Sequence, residues 1–128
     1  MSYYFTTTVK EDFETAIVAV TKALSKEGFG VLTQVDVTAT LKKKLDVDFR
    51  PYRILGACNP HLAYKAFSAE DKIGTMLPCN VVVQVNDNGQ TEVTAVDPVA
   101  SMAAVENVKL GPIALEVQEK LRKVIESL

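Results

Sequence analysis

The stretch from Cys79 to Val96 constrains the fold more than any other. Cys79 to Val85, CNVVVQV, is the strongest strand signal in the chain. Asn86, Asp87, Asn88 and Gly89 follow it, residue types that tolerate positive φ and close tight turns. Gln90 to Val96 then returns as a second β-rich run. Two such runs around a turn predict a β-hairpin, which commits the chain to antiparallel pairing. Asp97-Pro98 ends it.

Helical periodicity appears on both sides. Phe13, Ile17, Val20 and Leu24 recur at spacings of four, three and four, which predicts one apolar stripe on a helix over about 9–27. Thr8 and Glu11 have the spacing of a capping box at its start. Gly28 and Gly30 suit its end, because glycine accepts the left-handed conformation there. A last helix opens at Gly111-Pro112, with Ile113, Val117, Leu121, Val124 and Leu128 facing inward. Its basic residues Lys120, Arg122 and Lys123 complement the C-terminal dipole.

Between these lie shorter elements. Residues 2–8 and Val31 to Val37 read as strands. Thr38 to Leu45 reads as a short helix with Leu41 and Leu45 inward and Lys42, Lys43 and Lys44 on a solvated face. Arg50 to Cys58 reads as a strand with apolar residues on both faces, hence covered on both. Its Gly56 marks a bulge or the close approach of another element. Asn59 caps a helix over about 60–67 with Pro60 at its first position. Ser68 and Asp71 then cap a shorter turn closed by Gly74. Val99 to Val105 reads as a turn or two of helix, or a loop. The order predicts a two-layer α+β fold, a mostly antiparallel sheet with helices, in one domain over 1–128.

Composition enters where function is excluded. Sixteen acidic and 14 basic residues give a net charge of −2, which offers no general attraction to nucleic acid or acidic lipid. No run of eighteen apolar residues suggests a membrane span. Met1 to Thr8 lack a basic leader with an apolar core, so the expected location is the cytoplasm, where two cysteines are free thiols rather than a disulfide. Nucleotide-binding glycine motifs, H-E-x-x-H and G-x-S-x-G are absent from the sequence.

The residues that carry chemistry gather between Tyr52 and Val83. Both cysteines and the only histidine are there. Cys58, His61 and Cys79 are weak candidates for a thiophilic metal, one donor short of a structural zinc site. Cys58 precedes a helix N-terminus, which favours a thiolate, and Cys79 could resolve it, so the pair are redox candidates. The amides after Asn59 could receive an anion, with Arg50, Arg53 and Lys65 as local cations and Tyr52 and Tyr64 beside them. Each cysteine also suits a buried apolar position. Candidate ligand-binding residues are thus Tyr52, Cys58, Asn59, His61, Pro78, Cys79 and Asn80. No catalytic residue, cofactor or reaction is identified.

The run from Tyr52 to Pro60, YRILGACNP, with Gly28-Phe29-Gly30-Val31, Ala63 and Leu77-Pro78-Cys79-Asn80-Val81, resembles the domain of unknown function 302 family over nearly the whole chain. That resemblance implies a TATA-binding-protein-like α+β fold, a curved antiparallel sheet with helices on one side, and a homodimer. It implies no activity, and the acidic charge argues against DNA binding. It matches Cys58, Asn59, Pro60, Pro78, Cys79 and Asn80, and does not extend to His61. The expectation is a small-ligand or partner site at the Cys58–Pro60 and Pro78–Asn80 turns. A thiol redox protein and a dimeric interaction module are the alternatives.

Overall fold

A computed structural model describes residues 2–128. The elements run β1 (Tyr4–Val9), α1 (Phe13–Lys26), β2 (Gly30–Asp36), α2 (Val37–Leu45), β3 (Tyr52–Cys58), α3 (Pro60–Ala69), a 3-10 turn (Ile73–Met76), β4 (Cys79–Val85), β5 (Thr91–Val96), α4 (Pro98–Ser101) and α5 (Leu110–Glu126). The five strands form one open antiparallel sheet in the order β1-β5-β4-β3-β2, with the helices on one side. The fold is α+β. The hairpin pairs Val85 with Thr91 and Val81 with Ala95.

Alternation along the strands decides which side chains meet the helices. Leu55 and Ala57 of β3, Val81 and Val83 of β4, and Val93 and Ala95 of β5 are all buried. They pack against Ile17, Val20 and Leu24 of α1 and Leu121 and Val124 of α5. Each large side chain so buried contributes about 2 kcal/mol. A smaller apolar cluster, including Ala66, Ile73, Met102, Leu110 and Ala114, lies between α3, the 3-10 turn and α5.

Several local expectations are corrected. The cap of α1 is Asp12, not Thr8: its carboxylate accepts from the Thr15 amide at 2.9 Å, and β1 continues to Val9 instead. The hydrogen bond from the Thr15 amide holds the Asp12 carboxyl below its usual pKa. At the other end, Gly28 has φ +84°, and the amides of Gly28 and Phe29 return to Ser25 and Leu24, a Schellman ending. Asp36 ends β2 and caps α2, accepting from Ala39, so Val37 is helical rather than extended. Leu45 does not pack inward, being 66% exposed, and Leu41 is only half-buried.

Three further readings change near β3. Ser68 is no cap: it lies inside α3 and donates to the Tyr64 carbonyl. The 3-10 turn has no side-chain cap, and Gly74 sits within it rather than closing it. β3 is covered on one face only, since Tyr52 and Ile54 point away from the helices and remain half-buried. Gly56 does mark a close approach and a bulge. A Cβ there would strike Thr33 Oγ1 and come within 2.8 Å of Pro78 Cγ, and the β2–β3 register shifts between Val31 and Thr33.

Candidate functional site

The two cysteine turns meet at one end of the sheet. Ala57 stands opposite Cys79 across β3 and β4, so Cys58-Asn59-Pro60 leaves the sheet beside the point where Leu77-Pro78-Cys79 enters it. The Leu77–Pro78 peptide is cis. Asn59 is a buried polar side chain with two jobs. Its oxygen accepts from the Leu62 amide at 3.3 Å, and its Nδ2 donates to the Glu27 carbonyl at 3.2 Å. It therefore caps α3 and ties that helix to the end of α1.

Beside these turns is a cleft of about 290 Å³. The ends of β3 and β4 give it Ala57, Cys58, Pro78 and Cys79; α3 gives Leu62, Ala63, Ala66 and Phe67; α5 gives Ile113, Ala114 and Val117. Leu77 and Ile113 border both apolar clusters and the cleft. Several small residues line it: Ala57, Ala63, Ala66, Gly74 and Ala114. Leu32, 70% exposed, and Phe67, 49% exposed, stand among its walls, so apolar surface continues toward solvent.

The thiols differ. Both are free; Cys79 is buried and Cys58 half-buried. Burial, with a smaller contribution from Cys58, pushes the Cys79 thiol up to about 11. Cys79 is thus held as the neutral thiol at physiological pH and acts as a small apolar wall residue.

The structure brings together Cys58, Asn59, Pro78 and Cys79, all lining the cleft. It does not bring in Tyr52, which borders a separate depression on the other face of the sheet. His61 and Asn80 are exposed and line neither space. Cys58, His61 and Cys79 do not assemble as three metal donors: no group of three such residues forms among the described residues. The anion cradle is largely occupied. Pro60 has no amide hydrogen, Leu62 is held by Asn59, and Ala63 donates to the Asn59 carbonyl, which leaves the His61 amide. Arg53 pairs with Glu14 and Asp36, and Arg50 pairs with Asp87. Tyr64 is 75% exposed and outside the cleft.

Sequence reasoning missed the α3 and α5 walls. The signal was available in part: Ala63 and Ala66 sit three apart on α3, where a core-facing helix ordinarily carries larger residues.

Sheet, one-sided helices and an apolar cleft define a class: a two-layer α+β domain with an apolar cleft at the sheet's end. The particular family emerges from comparison. Residues 5–128 match the family described as "Domain of unknown function DUF302", and the chain belongs to it. It is similar to the crystal structure of an uncharacterized conserved DUF302 protein from Bacillus stearothermophilus, with 29% identity, 98% of each chain covered and a TM-score of 0.91. A search of curated proteins finds no match. No helix among the described residues is long and apolar enough to cross a membrane.

Proposed function

We propose that the protein binds a small apolar ligand in the cleft between α3, α5 and the two cysteine turns. One observation carries this reading: the lining is apolar almost throughout, with Cys58 at its wall and the polar groups of Asn59 already bonded. An ionic ligand would leave its charge unmatched there. A dry cavity of about 150 Å³ accepts benzene, so about 290 Å³ suits a ligand of roughly a dozen heavy atoms.

Titration of ¹⁵N-labelled protein with 1-octanol tests the reading. Saturable amide shifts at Cys58, Ala63, Ala66 and Ala114 are expected, and Ala63→Phe, which fills the space from a half-buried position, should weaken binding about tenfold. Absence of saturable shifts there, or unchanged affinity in a folded Ala63→Phe variant, overturns it.

The same reading takes residues 1–128 as one domain, in the cytoplasm, as a homodimer. Free thiols support the compartment. Exposed Leu32 and Val35 on the edge strand β2 support the self-contact. A monomer in sedimentation at micromolar concentration would remove the dimer.

A further inference from the structure

The face of the sheet away from the helices carries a second depression, about 360 Å³, built from different chemistry. Tyr3 and Tyr4 stand at one end and Tyr52 at the other. β1 and β3 are three strand spacings apart in the sheet, and Tyr52 shares a cross-strand row with Gln84, Glu92 and Thr8 while Tyr4 is further along β1 opposite Val96, so Tyr4 and Tyr52 lie roughly 20 Å apart. Thr6, Thr94 and Val82 form the floor, one cross-strand row. The two hydroxyls of that row are satisfied: they bond each other at 2.9 Å, and Thr6 reaches the Val93 carbonyl at 3.2 Å.

Glu92 is the group left over. It lines the trough and is half-buried. Its two oxygens meet only neutral amides, Gln84 Nε2 at 3.4 Å and Asn86 Nδ2 at 3.5 Å. No ion pair among the described residues includes it. A half-buried carboxylate with long neutral hydrogen bonds attracts a cation. Tyr52 lies in the same cross-strand row, two strands from Glu92 and so about 10 Å away, and its ring attracts the same thing, because the face of a tyrosine ring is negative. An anion would be repelled, and a purely apolar ligand would cover Glu92 with no partner.

We propose that this trough is a binding site for a small organic cation, an alkyl- or arylalkylammonium, whose ammonium group sits on Glu92 and whose apolar part lies against Tyr52. The site is independent of the cleft on the other side of the sheet: the two share no residue.

The experiment compares two probes of similar size and shape, one cationic and one neutral. ¹⁵N-labelled protein is titrated with 2-phenylethylammonium chloride and, separately, with 2-phenylethanol. The ammonium should give saturable shifts at Thr6, Val82, Glu92 and Thr94, and bind about fivefold tighter than the alcohol. Glu92→Gln, close in shape, should remove that preference, and Tyr52→Leu should weaken the ammonium about threefold. Equal binding of the two probes, saturation that maps to the cleft instead of the trough, or an undiminished preference in Glu92→Gln would overturn the proposal. The wild-type comparison stands alone should a variant fail to fold.

Discussion

The two cysteine turns use nearly the same residues to opposite ends. In Cys58-Asn59-Pro60 the asparagine is buried and the cysteine half-buried; in Pro78-Cys79-Asn80 the cysteine is buried and the asparagine exposed. Direction accounts for the difference. The first turn leaves a strand for a helix, and a helix start needs an acceptor inside the fold, which Asn59 supplies. The second enters a strand, where alternation puts Cys79 on the core side and Asn80 on the other. Similar tripeptides thus acquire separate roles from the element each one leads into, and composition alone does not assign those roles.

The largest expected effect breaks the place where the turns converge. Gly56→Ala would drive a methyl group into Thr33 and Pro78; we expect a loss of about 3 kcal/mol in urea unfolding, toward the upper end for overpacking. A near-neutral result would show that the second turn can shift without the first.

Next comes the asparagine pair. Asn59→Ala removes a cap and the tie to Glu27, and should cost about 2 kcal/mol. Asn80→Ala should stay within about 0.5 kcal/mol. Equal losses would erase the distinction between the two turns.

The thiol of the second turn is tested by pH. The unfolded Cys79 thiol ionises near its ordinary value of 9.0, the folded one near 11. Stability from keeping it neutral is complete below pH 9 and is lost as pH rises toward 11, at most about 3 kcal/mol. Thermal unfolding of wild type and Cys79→Ala across this window should differ in slope, with the steeper fall in wild type. Parallel curves would mean that Cys79 is not desolvated.

Much of the fold was legible in the residues. The hairpin and the stripes of α1 and α5 follow from periodicity, because burial of one face dictates where apolar residues fall. Gly56 announced its close approach by lacking a side chain within an apolar strand. Competition among neighbours could not be read. Thr8 and Asp12 both suit a cap, and pairing of β1 with β5 through Val9 and Thr91 leaves the task to Asp12. The apolar faces of β3 suggested two covers, yet the helices occupy one side. The cleft depends on α3 meeting α5, an encounter about fifty residues apart in sequence that no local spacing records.

The strand order also sets a timetable for synthesis. β1 precedes every other element in the chain, but its partner β5 ends at Val96. The Thr6 hydroxyl bonds to residues 87 and 88 positions later. On a ribosome, β1 must wait unpaired until the hairpin has emerged, while β3 and β4 can each pair with the strand made just before it. The threonines of β1 and its exposed alternate side keep that waiting strand hydrophilic on one side. The first strand made is the last one home.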